Sequence, residues 1–135
     1  MKQLALAGLF CSLSLSAVAQ TAQHLDWLDA NYEQTAATAR ALWDFAEVGY
    51  QETQSSVLLQ QQLADAGFEI EAGVADIPTA FVARYGSGGP VLAILGECDA
   101  LPGITQDATP NRLPLEEKEA GHACGHNLFG AGSSA

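Results

Sequence analysis

The stretch VLAILGECDALPG, Val91 to Gly103, holds two textures in thirteen residues. Its first half is almost wholly apolar and reads as a strand covered on both faces. Its second half sets a thiol, Cys98, between two acids, Glu97 and Asp99, and ends in a Pro102–Gly103 turn. Open α/β sheets bind their ligands just beyond the carboxyl ends of their strands. The two acids therefore stand where a site is expected, either orienting metal ligands or binding metal directly. A polar strand end that merely begins a turn would read the same way, and residue chemistry leaves both readings open.

The pattern on either side sets the fold class. Upstream, TAFVARYG (79–86) is a strand stopped by the turn-rich GSGGP, and FEIEA (68–72) alternates apolar and acidic residues like a half-exposed strand. Before these, Leu25, Leu28, Tyr32, Ala36, Ala39, Trp43 and Ala46 recur every three or four residues. That spacing predicts an amphipathic helix over about 25–47, its apolar face widened by Trp27 and Leu42 and used for core packing. EVGYQET interrupts it. A second helix follows to about Ala66, with Ser55 or Ser56 as its cap and Val57, Leu58, Leu59 and Leu63 on its buried side. Gly67 sits at its left-handed end. Downstream, Asp99 to Ala120 form a 22-residue connection with three prolines, long enough to suggest a functional loop. NLFGAGSSA then reads as the start of another helix, with Asn127 able to cap it. Two helices ahead of a run of strands suit an α/β layer with a mixed sheet.

The most reactive residues lie in GHACGHN, Gly121 to Asn127. Thiolate and imidazole are both good ligands for zinc and related divalent ions, which makes Cys124 and His126 candidate metal ligands. Gly125 between them lets the backbone bend so that both side chains converge. The N-terminus of a following helix would favour the thiolate. A Cys-x-His spacing is a weak signal by itself, and His122 reads equally as a supporting group or a loop residue.

Composition narrows the classes further. Sixteen Asp and Glu face five Lys and Arg, a net charge of −11. That excess argues against nucleic acid and against anionic membrane surfaces as partners, and its plainest effect is solubility. The first nineteen residues differ from the rest. Lys2, the uncharged run LALAGLFCSLSL and the small residues Ala17 and Ala19 describe a secretory signal peptide, too short for a permanent transmembrane helix. A buried N-terminal helix is the plainer alternative. Phe10 before Cys11 is too bulky for the usual lipoprotein site. The expected organisation is thus a signal peptide over 1–19 and one catalytic portion over 20–135, in the periplasm or secreted. Cleavage would leave Cys98 and Cys124, which in an exported protein could simply pair.

Three blocks in this order resemble the M20 metallopeptidase family: LWDFAEVGYQETQSS (42–56), LAILGECDALPG (92–103) and GHACGHNLFGAGS (121–133). GFEIEAGVADIPTAFVARYGSGGP (67–90) fits between them, so the resemblance runs from about Leu25 to Ala135. The GECDALPGITQ form is most similar to the family's amidohydrolase branch of aminobenzoyl-glutamate hydrolases. The resemblance implies the N-terminal part of a zinc-peptidase-like catalytic domain, a third or less of the enzyme. By that resemblance Cys124 and His126 match two ligands of a two-metal centre of zinc, manganese or cobalt, with the cysteine as bridge. Asp99 matches the acid that orients a ligand histidine. Glu97 departs from the wider family, which often has a metal-binding histidine there, so Glu97 and His122 enter as possible helpers.

The resemblance also implies the chemistry: hydrolysis of an N-acyl or N-aroyl amino acid, a small-molecule substrate, by an enzyme that pairs as a homodimer when complete. The family's general-base glutamate lies in an acidic pair further along the chain, and past His126 this sequence has no Glu, Asp or His. The chain alone is therefore expected to be inactive. Two rival readings remain. One is a small exported binding or structural module closed by a Cys98–Cys124 disulfide, a bridge contributing roughly 3 kcal/mol. The other is a paralogue that kept the fold and lost catalysis.

Overall fold

The computed structural model describes residues 2–135, with side chains from Gln23 onward. The chain divides into two units, residues 1–34 and Thr35–Ala135. Helix α1 spans Lys2–Phe45. The expected signal peptide lies where only the helical backbone is described. No helix of the described residues is long and apolar enough to cross a membrane. Within the first unit Leu25, Trp27, Leu28 and Tyr32 are exposed, so this half of the predicted apolar stripe covers nothing there. A stripe of helical period becomes a buried face only where another element lies alongside it.

In the second unit that condition is met. The last turns of α1, helix α2 (Thr53–Asp65), strand β2 (Phe81–Arg84) and helix α3 (His126–Ser133) share one small core. Ala39, Leu42, Leu59 and Ala131 are its buried residues, with Phe45, Leu58, Phe81 and Cys98 packed against them. Gly130 allows the closest approach, because a Cβ there would meet the Glu97 carbonyl oxygen at 2.8 Å and Cys98 Cβ at 3.3 Å. Any larger residue would push α3 away from the segment that carries the acids.

Helix α2 differs from expectation at its start. Ser55 and Ser56 lie inside it and are buried, and neither caps it. The Glu47 carboxylate does so from outside, accepting from Gln54 N at 2.9 Å, Ser55 N at 2.8 Å and Ser55 Oγ at 2.8 Å. Burial alone would raise the Glu47 pKa, but these hydrogen bonds outweigh it and hold the carboxyl below its ordinary value. Val57 faces outward, while Leu59 is buried. At the far end Gly67 has φ +91°, its N–H bonds Ala64 O at 2.9 Å, and Phe68 N bonds Leu63 O at 3.0 Å. This is a Schellman close, which needs a residue free to enter the left-handed region.

Strand β1 (Glu69–Ala72) pairs antiparallel with β2, with Glu69 opposite Arg84 and Ala72 opposite Phe81. A short second ladder joins β3 (Leu101–Pro102) to β4 (Ala120–Gly121), also antiparallel. It pinches the ends of the long loop, inside which Gln106 bonds Leu113 N at 3.0 Å and Asn111 O at 2.7 Å. The class is α/β, but the expected mixed sheet is two separate antiparallel ladders plus one parallel bridge, Val48 to Ala100. The strand expected over 91–97 is absent among the described residues. Val91 is 85 % and Leu92 89 % exposed, and the segment has no ladder partner. Apolar composition supplies strand propensity, but a strand exists only where a neighbour completes its hydrogen bonds.

Candidate metal centre

Two local features bring the acids to the histidine. Helix α1 stops at Phe45, Ala46 turns left-handed at φ 45°, and the chain reverses so that Glu47 O accepts Ala100 N at 2.7 Å. That bond draws Cys98 and Asp99 against the end of α1. On the other side, Gly125 at φ +82° closes a turn in which its N–H bonds His122 O at 3.1 Å. His126 is then the first residue of α3. Asn127 does not cap this helix. Gly125 takes that position, and Asn127 is buried and donates to Ala39 O at 3.2 Å.

The His126 ring lies between the two acids. Its Nδ1 is 2.7 Å from Asp99 Oδ1 and its Nε2 is 2.7 Å from Glu97 Oε2. All three side chains reach solvent in part, and their donor atoms lie within 4.8 Å of one another. Gly49 sits beside the group, its Cβ position 3.9 Å from Asp99 Oδ2. One imidazole and two carboxylates form a donor set suited to zinc, manganese or cobalt. An acid on Nδ1 keeps a proton on that nitrogen, and an ion taking the place of the proton shared between Nε2 and Glu97 would meet the Nε2 lone pair, the usual carboxylate–histidine–metal arrangement. The residues present therefore fit a divalent ion.

The other predicted residues are placed differently. Cys124 is exposed and stands outside this group. His122 is buried, and its Nε2 lies 2.9 Å from Leu42 O. A carbonyl oxygen only accepts, so Nε2 carries the proton, and Nδ1 has no hydrogen-bond partner among the described residues. Burial lowers the His122 pKa, against the opposing hydrogen bond to Leu42. Cys98 and Cys124 are both free thiols, so the disulfide of the rival module is not formed. Burial, with the nearby charges of Glu52, Asp99 and Glu47, pushes the Cys98 thiol up to about 11. A depression of about 700 Å³ is lined by Glu47, Val48, Lys118 and Glu119 among others and contains none of the cluster. Lys118 is engaged there with the last carbonyls of α1, reaching Asp44 O at 3.2 Å. Sequence reading missed the capping by Glu47 and the anchoring by Asn127. The first reaches back seven or eight residues, outside the usual capping spacings, and the second joins residues 88 apart.

An α/β scaffold that presents two acids to a histidine at a helix start defines a candidate metallohydrolase-type site. No protein-family model matches the chain. It is 39 % identical over 111 residues to a subunit of the p-aminobenzoyl-glutamate hydrolase of Escherichia coli (strain K12), covering 82 % of this chain and 23 % of that protein. It is 33 % identical over 90 residues to thermostable carboxypeptidase 1 of Saccharolobus solfataricus, 65 % of this chain and 22 % of the relative. Thermostable carboxypeptidase 2 of the same organism matches at 32 % over 90 residues, again 65 % of this chain and 22 % of the relative. These relatives are M20-family enzymes, the family that the three sequence blocks resemble. The chain spans less than a quarter of the length of the relatives it matches.

Proposed function

We propose that this chain carries part of the metal site of an amidohydrolase that cleaves N-acyl or N-aroyl amino acids of the aminobenzoyl-glutamate kind. The observation that carries the reading is the His126 ring held at 2.7 Å by Asp99 on one nitrogen and by Glu97 on the other. The name of the Escherichia coli relative supports the substrate class. His126 would hold a divalent ion through Nε2, with Cys124 as a second ligand after rotation of its exposed side chain. Asp99 keeps the ring oriented, and Glu97 shares the Nε2 side, as co-ligand or as the group the ion displaces. Such an ion supplies Lewis acidity, polarising an amide carbonyl and acidifying water. A two-ion centre needs more ligands than this cluster offers, and no further group of three donors converges among the described residues. The 135-residue chain by itself is therefore proposed to be inactive.

Grafting tests this reading. In the Escherichia coli hydrolase, the aligned residues are replaced by those of this chain, and release of aminobenzoate is followed with zinc, manganese or cobalt. The chimera should hydrolyse aminobenzoyl-glutamate, and His126→Ala in it should remove turnover. A chimera equally active with and without His126 would sink the assignment. We also propose export, from the Lys2 to Ala19 pattern. Mass spectrometry of protein from its own host should show a start near Gln20, whereas Met1 on soluble cytoplasmic protein would refute it.

A further inference from the structure

The segment that bears Cys124 and His126 is pinned at both ends to one helix. At one end, His122 donates from Nε2 to Leu42 O at 2.9 Å. At the other, Asn127 donates from Nδ2 to Ala39 O at 3.2 Å. Both side chains are more than nine-tenths buried. Ala39 and Leu42 are three residues apart on α1, so the two carbonyls lie on one face, a single turn apart. Leu42 O already accepts Ala46 N at 3.1 Å, so His122 takes the second lone pair of an oxygen at the helix end. Between the pins lie only residues 123–126, bent by the His122 O to Gly125 N bond.

We infer that His122 and Asn127 are positioning residues for the metal centre, a two-point clamp that fixes the Cys124–His126 turn on helix α1 so that the His126 ring meets Asp99 and Glu97. The inference rests on the metal reading above. Its physical content is preorganisation. The acids arrive through the Ala100 to Glu47 bond and the histidine arrives through the clamp, so the end of α1 is the common frame for both halves of the site. Without the clamp, the turn would lose its two side-chain hydrogen bonds to α1, and the ring would sample other orientations. Neither residue belongs to the donor group of Glu97, Asp99 and His126, and each acts through the residues it places.

The test separates donor geometry from simple packing. His122→Gln keeps an N–H donor on a side chain of similar reach. His122→Leu fills the space without a donor. Asn127→Asp keeps the shape and replaces the donor by an oxygen. Far-UV circular dichroism establishes folding, and cobalt binding to the 135-residue chain is read from its visible absorption. Cobalt affinity should fall about tenfold to a hundredfold in His122→Leu and Asn127→Asp, and stay near wild type in His122→Gln. Equal affinity in wild type and His122→Leu, or equal losses in the Leu and Gln variants, would overturn the clamp. His126→Ala is the control for the metal reading. If it binds cobalt as wild type does, or if wild type binds none, that reading fails and a metal-free signal decides the clamp. The signal is the His126 Nδ1 proton in NMR, protected by Asp99. It should persist in wild type and His122→Gln and exchange rapidly in His122→Leu. Its persistence in folded His122→Leu, or its absence in wild type, overturns the inference.

Discussion

Replacing Glu47 by Ala should destabilise the second unit by about 2–3 kcal/mol at neutral pH, and the size follows from what each lost hydrogen bond leaves behind. The carboxylate accepts two backbone amides and one hydroxyl at the start of α2. Gln54 is exposed, so its freed N–H returns to water at a cost of about 0.5 kcal/mol, the low end for a lost cap. Ser55 is fully buried, and its N–H and Oγ would both lose a charged acceptor. An unsatisfied buried polar group costs about 1–3 kcal/mol, which makes Ser55 the larger contribution. The sign of the pH dependence follows from the direction of the shift. The folded pKa of Glu47 lies below its ordinary value, so its stabilisation is complete above the unfolded pKa of about 4.3 and fades as pH falls through the folded value. Urea unfolding of wild type and Glu47→Ala at neutral pH and at about pH 3 measures both effects, with an unchanged slope showing that stability alone moved. A difference under about 0.5 kcal/mol at neutral pH would place Glu47 among ordinary surface residues. A difference undiminished in acid would show that packing, and not the carboxylate, is responsible.

Other consequences are open to measurement. Asp99→Asn should weaken zinc or cobalt binding about tenfold to a hundredfold by calorimetry, since the ring would lose its charged partner on Nδ1; unchanged affinity would remove Asp99 from the site. Near pH 8 a maleimide should modify exposed Cys124 quickly and Cys98 slowly, with Cys98 gaining reactivity only as pH approaches about 11; equal rates would contradict the burial of Cys98. Leu92→Lys with Ile94→Lys should reduce self-association in sedimentation, because Val91, Leu92, Ile94 and Leu95 form an exposed apolar run with free edges; unchanged association would shift the cause elsewhere.

Periodicity and end signals determined much by themselves. The α1 region from Leu25, α2 with its left-handed close at Gly67, and the strands β1 and β2 are local patterns, and propensity and patterning act over a few residues. The kinds of residue in the site were also legible, although the acids and the Cys-x-His spacing were each weak signals until the three blocks were read together. Contact was not legible. Asp99 and His126 are 27 residues apart, and His122 and Leu42 are 80 apart. Only the meeting of α1, α3 and the acid-bearing segment decides that His126 faces both carboxylates while Cys124 faces solvent and His122 turns inward. The run 91–97 makes the same point from the opposite side. Its sequence is as strand-like as β2, yet a strand needs a partner, and partnership is decided by the tertiary fold.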